Sequence, residues 1–523
     1  MNVKQHNRQS SGDEECLSAL LTNAKAIMVI AQAVEGTLGP KGLDTMLLDQ
    51  LGDVIITNDG VTILELMDVN HPAARMLINM AKAQQEEIGD GTTTATILAG
   101  ALVNEGVNQV RKGVPVVKVI EGMSLGVKKA IQALTEKAIS ITSGKDSLLN
   151  KTAGVAARGN EDIADLVIKA VLLLGKKKLL EPSFKLAEII RAVEGAENQV
   201  VSGVIIDKEP VNTEMPKKLK DVKVLVVDDA LEPEEIEDEA LGTEAGFTRY
   251  LKLQEEFRQN IEKVVRLGVG LVLVDRGIHD LAEEIFTDAG VMVLQRVSNR
   301  ELRQAAEFTG AKLLKRTGLK KEEKDLKHSL GEAEEVYVEE KLKHVCLLGG
   351  KGEAQATVLV SASTEEVVGE RERIAKDAAS AVQAAVKGGI VPGGGTVELA
   401  ISRELQDVRQ EAAGMAVYGV DCVCEALKQP FAQIVYNAGF NPLEKLGEVS
   451  SAQIEQDKIS LGINCDSGEI IDMQELGIYD PVLVKKHALK TAVEVATAIL
   501  RIDTIIKKKE RGSPNSLEQE ECI

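Results

Sequence analysis

Three glycine-rich loops, each beside a predicted helix, carry residue types that bind phosphate. They read TLGPKG at 37–42, GDGTTTAT at 89–96 and VPGGG at 391–395. Glycine lets a backbone approach a ligand closely, and a helix N-terminus offers unpaired N–H groups and a positive dipole to an anion. The three loops are therefore candidates for binding a phosphate ester. The alternatives are a simple hinge for VPGGG and a helix end followed by a turn for TLGPKG.

GDGTTTAT is the most specific of the three. Thr92, Thr93 and Thr94 place hydroxyl and N–H groups at the start of a predicted helix, directly after Gly91. The Asp90 carboxylate beside bound phosphates requires a cation such as Mg²⁺ between them. The loop is not a Walker loop, because G-x-x-x-x-G-K-[ST] is absent from the chain. Ordinary helix capping is the alternative, since Thr and Gly are both common at helix ends.

Two isolated acidic residues are candidates for the reaction itself. Asp59 lies in an Asn-Asp-Gly sequence, and Asp377 lies in the helical pattern ERERIAKDAASAVQAAV. Hydrolysis of a phosphate ester needs one carboxylate to orient water and others to hold a metal. Asp59, Asp90 and Asp377 could form that set, although sequence spacing alone cannot bring them together. A simple turn at Asp59 and a solvated edge position for Asp377 are the alternatives.

Composition excludes several other classes of protein. The 523 residues are 44% hydrophobic and 28% charged, which is typical of a globular chain with several domains. A net charge of −20 and the lack of Trp disfavour nucleic acid as a partner. No apolar run reaches the ~18 residues of a membrane-spanning helix, and the polar start lacks a signal-peptide pattern. We therefore expect a cytoplasmic protein without a membrane partner.

Hydrophobic periodicity changes twice along the chain. Residues 16–141 are mostly helical in pattern, residues 196–314 alternate strands with helices, and the helical pattern returns after residue 365. The charge run at 320–327 predicts a solvated loop. This order predicts a multidomain α and α/β protein, in which a helical domain is split by an inserted α/β domain.

Taken together, TLGPKG, NDG, GDGTTTAT, the Asp377 helix, VPGGG and a late GIYDP at 477–481 resemble the 60 kDa chaperonin family. The motifs occur in the family's order, and the resemblance covers nearly the whole chain. Asp377 stands sixteen residues before Gly393, the spacing that the family's catalytic aspartate keeps from its glycine triplet.

The resemblance implies the chaperonin fold, with a mainly helical equatorial ATPase domain, a small intermediate hinge domain and an inserted α/β apical domain that binds substrate. The implied equatorial domain comprises 1–143 and 393–523, the intermediate domain 144–195 and 361–392, and the apical domain 196–360, with a helical-protrusion lid at about 228–268.

The resemblance also implies roles for individual residues. Asp59 and Asp377 would orient the attacking water, Asp90 would hold Mg²⁺, and Asp480 would contact the ribose. The ATP-binding set that it implies is Thr37, Leu38, Gly39, Pro40, Asp90, Gly91, Thr92, Thr93, Thr94, Gly394, Asn464 and Asp480.

Within the family, the chain is most similar to the thermosome-like branch, which has a built-in lid. A long helical pattern at 247–268 lies where that branch has its protrusion, and Asn58 stands where the co-chaperonin-dependent branch has Lys. The short loop at 153–162 departs from the thermosome pattern, and Arg158 is the basic residue nearest to its nucleotide-sensing Lys. This mixture resembles the lid-bearing (group III) chaperonins of some bacteria, and it leaves open how nucleotide state reaches the lid.

The implied function is ATP-driven folding of non-native polypeptides inside two stacked rings of eight subunits each, without a separate co-chaperonin. The predicted helices at 279–289 and 299–309 are candidates for substrate binding, with ordinary domain packing as the alternative. A ring that needs a co-chaperonin, or a small-molecule phosphotransferase whose α/β insert binds an acceptor, are the alternative functions.

Overall fold

The structure is a computed structural model that describes residues 3–48, 54–142, 147–234, 243–340 and 342–504. The chain divides into two compact units. Unit 1 comprises Met1–Ile141 and Lys387–Ile523, and unit 2 comprises Thr142–Val386. Unit 1 is therefore built from both ends of the chain, around an insertion.

The helices and strands are numbered in chain order. The helices are α1 Val3–Glu35, α2 Gly60–Leu66, α3 Pro72–Glu87, α4 Thr92–Arg111, α5 Val116–Glu136, α6 Ser147–Ala156, α7 Glu161–Leu180, α8 Glu244–Arg266, α9 Asp280–Asp288, α10 Asn299–Thr309, α11 Glu323–Lys327, α12 Glu365–Gly388, α13 Thr396–Val408, α14 Val417–Asn437, α15 Pro442–Glu455, α16 Met473–Leu476 and α17 Val482–Leu500. The strands are β1 Thr45–Leu48, β2 Val54–Thr57, β3 Ile190–Glu194, β4 Gln199–Val201, β5 Gly203–Ile206, β6 Lys218–Val227, β7 Val269–Val274, β8 Met292–Leu294, β9 Gly331–Glu339, β10 His344–Gly350, β11 Thr357–Ala362, β12 Ile390–Pro392, β13 Leu461–Ile463, β14 Ile470–Asp472 and β15 Tyr479–Pro481.

Unit 1 is a helical bundle around a large hydrophobic core, with a smaller cluster of buried residues around Phe431. Helix α4 packs against α1, α3, α14 and α17, and it is apolar on most of its circumference because neighbours surround it. The buried side chains of the large core include Leu77, Leu98, Leu102, Met123 and Leu427. Short antiparallel strand pairs, β12 with β15 and β13 with β14, bring the loops between these helices together.

Helices α5 and α14 cross at a pair of glycines. A β-carbon added at Gly122 would overlap the Ala416 carbonyl oxygen, and one at Gly419 would overlap the Val119 carbonyl oxygen. The helices can therefore approach this closely only because neither residue has a side chain. Gly122–Gly126 also reads G-x-S-x-G, but it lies inside α5, and the Ser124 hydroxyl donates to the Ile120 carbonyl. It is therefore not the strand-to-helix elbow of a serine hydrolase.

Unit 2 contains a six-stranded mixed sheet in the order β5-β10-β9-β6-β7-β8. Strands β6, β7 and β8 are parallel neighbours, and their alternate residues face two separate cores. Val226 and Leu273 pack on the side of α10, whereas Val227 and Val274 pack with Phe286 of α9 and residues of α8. Burial on both faces explains why these strands read as continuous apolar runs.

A second, three-stranded sheet of unit 2 has the order β3-β11-β4 and packs against α7. The α12 residue Gln383 ties this region together, since its amide donates to the carbonyls of Leu179 and Phe184 and accepts from the N–H of Leu186. Helix α7 is broken at Gly175, where φ is 76° and ψ is 162°. That backbone conformation is essentially restricted to glycine.

Two local expectations differ from the structure. The alternation of strands and helices predicted up to residue 314 ends earlier, because only an isolated bridge joins Leu314 to Val227. The charge run at 320–327 ends a 3₁₀ helix, Arg316–Lys320, and then forms α11 around the buried Leu326. Of the expected lid segment, 235–242 lies outside the described residues. In the described part of the chain, no helix is long and apolar enough to cross a bilayer.

We predict that Gly419→Ala lowers the unfolding temperature of unit 1 by about 5 °C or more, because the new methyl group would meet backbone atoms that cannot move independently. Differential scanning calorimetry of the nucleotide-free protein measures this. Gly447→Ala in α15 is the matched control, since nothing lies within 4 Å of the added β-carbon. It should leave the transition unchanged or raise it slightly. An equal effect of both substitutions would contradict the close-approach explanation.

Candidate functional site

The N-terminus of α4 is held in place by residues from two other helices. Gly91 caps the helix in the left-handed region, with φ 81°, and a β-carbon there would overlap Val484. The amide of Gln84 donates to the Asp90 carbonyl at 2.7 Å, while the Asp90 carboxylate accepts from the Gly91 N–H at 2.6 Å. Because α4 begins at Thr92, its first N–H groups have no partner within the helix. Unpaired N–H groups at a helix start can accept an anion, so this end of α4 is a candidate phosphate contact.

Asp59 lies beside the start of α4. It caps α2, and its carboxylate accepts from the Thr62 N–H at 3.1 Å and the Thr62 hydroxyl at 2.5 Å. A β-carbon at Gly60 would overlap the Thr93 hydroxyl oxygen. The loop of Asp59 and the threonine loop are therefore in direct contact, as the sequence could not show.

The TLGPKG loop contacts a second loop of unit 1. Gly39 has φ 87°, and Asn437 of α14 donates to the carbonyls of Glu35 and Leu38 on either side of Thr37. Lys41 forms an ion pair with Asp466 at 2.5 Å.

Asn464 organises the turn that contains Asp466. Its side-chain oxygen accepts from the Asp466 N–H at 2.8 Å, and its own N–H donates to the Glu469 carbonyl at 2.9 Å. Through the Lys41–Asp466 ion pair, Asn464 and the TLGP residues therefore belong to one connected loop region.

The glycine triplet lies directly against Asp480. Strand β12 pairs with β15 so that Val391 is opposite Asp480, and a β-carbon at Gly393 would be 2.9 Å from the Asp480 Oδ1 atom. Gly394 and Gly395 have φ values of 69° and 76°. A β-carbon at Gly395 would be 2.8 Å from backbone atoms of Phe431. The triplet is thus a requirement of close packing as well as a candidate ligand contact.

Sequence reasoning did not identify a buried lysine behind Asp480. Lys485 of α17 is bonded to Asp480 Oδ2 at 2.7 Å and to Glu398 Oε1 at 2.5 Å. A signal was present in the sequence, because Lys485 precedes the buried Ala488 and Leu489 by three and four residues. It therefore occupies the apolar face of its helix, where a cation needs partners.

Asp377 lies in unit 2, on α12, whereas the other candidate residues lie in unit 1. Its carboxylate is 3.5 Å from the Arg158 guanidinium, which is also 3.3 Å from Glu370. Arg158 itself has a φ of 53°, an uncommon conformation for a residue with a side chain.

A cation site made of protein groups alone is not supported. Within the described ranges, no group of three His, Cys, Asp or Glu residues could hold a metal ion. A cation at Asp90 would therefore need ligands from the phosphates, as the sequence reasoning requires.

Burial raises the pKa of Cys422 to about 12 and that of Cys424 to about 11, so both remain thiols at neutral pH.

The two helices considered for substrate binding turn their apolar residues inward. Ala282 and Phe286 of α9, and Leu302 and Phe308 of α10, are buried against the sheet. The exposed positions of the two helices are Asp280, Glu284, Asp288, Asn299, Arg300, Arg303 and Glu307. The apolar residues of these two helices therefore serve domain packing, which is the alternative to substrate binding.

The chain resembles known proteins over nearly its full length. A family model described as the TCP-1/cpn60 chaperonin family matches residues 30–510. The thermosome subunit beta of Archaeoglobus fulgidus is 36% identical over 506 residues, which cover 93% of this chain and 91% of that protein. The thermosome subunit alpha of Thermoplasma acidophilum is 34% identical over 527 residues, covering 97% and 95%. A crystal structure of a group III chaperonin in the open state is 48% identical, with a TM-score of 0.85, covering 94% of this chain and 100% of that one.

We predict that Asp59→Asn distinguishes a role of Asp59 in capping α2 from a role in ATP hydrolysis. Asn is as good a helix cap as Asp, so the unfolding temperature should be unchanged, whereas loss of the charge should slow ATP hydrolysis about 100-fold. Steady-state phosphate release and calorimetry measure the two effects. Asp59→Ala should add a loss of about 1 kcal/mol in stability. Normal hydrolysis by Asp59→Asn would return Asp59 to the role of a helix cap alone.

Proposed function

The chain belongs to the TCP-1/cpn60 chaperonin family, and we propose that it is an ATP-dependent chaperonin that encloses non-native polypeptides in a double-ring cavity closed by a built-in lid. One observation carries this proposal: the similarity to the group III chaperonin covers 94% of this chain and all of that one, at 48% identity. A similarity of that extent includes the ATP-binding loops and the α/β insert together. It is not expected of a phosphotransferase that shares only a nucleotide site.

In the proposed site, unit 1 binds ATP. The threonines at the start of α4 would take the phosphates, since free N–H groups and hydroxyls converge there. Asp90 would hold Mg²⁺ against those phosphates, and Asp480 would contact the ribose beside the glycine triplet. Asn464 and the TLGP residues would complete the nucleotide contacts, which is supported by their connection through Lys41 and Asp466.

Hydrolysis would require Asp59 from unit 1 and Asp377 from unit 2 to orient the attacking water. Helix α12 carries Asp377, and its last residues belong to unit 1. A nucleotide-dependent movement of this helix would therefore couple hydrolysis to domain closure. In the structure the Asp377 carboxylate pairs with Arg158, and that ion pair would have to open when Asp377 takes part in the reaction.

Helix α8 supports the proposed lid. Its C-terminal half is anchored, because Phe257, Ile261 and Val264 are buried in a core of unit 2. Its N-terminal half exposes Phe247 at 54% and Leu251 at 54%. An anchored helix with apolar residues at its exposed end suits a protrusion that contacts other subunits or a polypeptide. We extend the proposal to two rings of eight subunits, closed without a co-chaperonin, in the cytoplasm.

Negative-stain electron microscopy of the purified protein tests the assembly. We expect double rings whose ends are open without nucleotide and closed with ATP and aluminium fluoride, with no other protein added. Rings that stay open would favour the co-chaperonin-dependent alternative. Discrete monomers or dimers with acceptor-dependent turnover would favour a phosphotransferase.

We predict that Asp377→Ala keeps ATP binding within about twofold and slows hydrolysis about 100-fold, because the carboxylate acts on water rather than on the bound nucleotide. Equilibrium binding and phosphate release under single-turnover conditions measure the two effects. Glu372→Ala is the matched control, since Glu372 lies on the same helix and forms an ion pair with Lys376 one turn away. A variant of Asp377 that hydrolyses ATP normally would remove this residue from the proposed mechanism.

A further inference from the structure

A buried ammonium group links three elements of unit 1 behind the candidate ribose contact. Lys485 lies in the first turn of α17, Glu398 in the first turn of α13, and Asp480 in β15. Lys485 bonds to both carboxylates, at 2.5 Å to Glu398 and 2.7 Å to Asp480. One cation thus fixes the relative positions of two helix starts and a strand.

Exposure increases along this cluster toward Asp480. The side chains of Glu398 and Lys485 are 3% and 7% exposed, whereas that of Asp480 is 30% exposed. Two carboxylates and one ammonium group carry one net negative charge. Since a charge is least costly where water can reach it, Asp480 is the end of the cluster that can meet a ligand.

The ammonium group remains charged despite its burial. Burial alone would lower the pKa of Lys485, but the attraction and hydrogen bonds of Asp480 and Glu398 outweigh it and raise the pKa. Lys485 therefore stays protonated at neutral pH, so its side chain can act as a cation toward Asp480.

Stability alone does not explain the cluster. The second oxygen of Glu398, Oε2, is buried and has no hydrogen-bond partner among the described residues. A buried ion pair with an unsatisfied oxygen is often no more stable than an apolar pair of similar size. The cluster therefore indicates a positional role.

The two Asp480 oxygens have different surroundings. Oδ2 is bonded to Lys485, while Oδ1 is the atom that a β-carbon at Gly393 would approach to 2.9 Å. The bond to Lys485 restricts rotation of the carboxylate and so keeps Oδ1 beside the glycine triplet. A carboxylate held in one orientation loses less entropy when it accepts a hydrogen bond from a ligand.

We propose that Lys485 is a positioning residue for nucleotide recognition, which orients Asp480 toward a ribose hydroxyl and thereby sets the preference for ribonucleotides over deoxyribonucleotides. This inference rests on the proposed function, because it takes Asp480 as the ribose contact.

The test compares kcat/KM for ATP with that for 2′-deoxy-ATP and for 3′-deoxy-ATP, using the assembled full-length protein. In Glu398→Gln the Lys485–Asp480 bond remains, so this variant is the matched control. Adding Lys485→Met to it removes the bond without leaving Glu398 as an unpaired buried charge. Asp480→Ala removes the proposed ribose contact itself.

We expect the wild type and Glu398→Gln to prefer ATP over at least one deoxynucleotide by about tenfold, the usual effect of a hydrogen bond to a charged group. The double variant and Asp480→Ala should fall to within about twofold of no preference, mainly through KM for ATP. A merely structural role of Lys485 would reduce activity with all three nucleotides equally and leave the ratio unchanged.

The outcomes separate the inference from the proposed function. A double variant that keeps the wild-type ratio, while Asp480→Ala loses it, overturns the role of Lys485 alone. An unchanged ratio in Asp480→Ala overturns the ribose contact and the inference with it, and a wild type without ATPase activity overturns the proposed function. If the double variant does not assemble, Glu398→Leu with Lys485→Leu replaces the pair by apolar side chains of similar length, and the same ratio is measured.

Discussion

The proposed nucleotide site of unit 1 depends on backbone segments that approach one another more closely than a β-carbon allows. Gly60 contacts the threonine loop, Gly91 contacts α17, Gly393 contacts Asp480 and Gly395 contacts α14. Each contact joins segments that are far apart in sequence, and each leaves no space for a side chain. The glycines are therefore needed to assemble the site before any ligand binds. The same glycines are thus needed for close packing and are candidates for ligand contact. This explains why motifs that resemble simple hinges or helix ends lie around one region of the fold.

Helix α17 organises much of that region. Near its start, Val484 lies against the GDG loop, His487 is hydrogen-bonded to Gln84 at 2.6 Å, and Lys485 holds Asp480. One rigid helix therefore contacts elements proposed to bind both the phosphate and the ribose ends of the nucleotide. A rigid scaffold of this kind orients polar groups without the entropic cost of ordering each loop separately.

Unit 2 has a different physical design. Its central sheet is buried on both faces, which makes it a stable platform, while the apolar residues of α9 and α10 are used in its own packing. Exposed apolar side chains occur in the N-terminal half of α8, at Phe247 and Leu251. In an ATP-dependent chaperonin, exposed apolar side chains of this kind can contact partners without disturbing the packing of the sheet.

The sequence by itself determined the helical–α/β–helical order, the three glycine-rich loops and the acidic residues, because periodicity and turn chemistry are local properties. It could not show that Gly60 meets Thr93, or that Lys485 binds Glu398, 87 residues away. It also missed α11, since a single buried leucine within a charge run gives no periodic signal. These features were decided only by tertiary structure, because the partner of a side chain depends on how distant segments pack. A lysine on the apolar face of a helix indicates that a partner of opposite charge is needed, but only the folded structure identifies that partner.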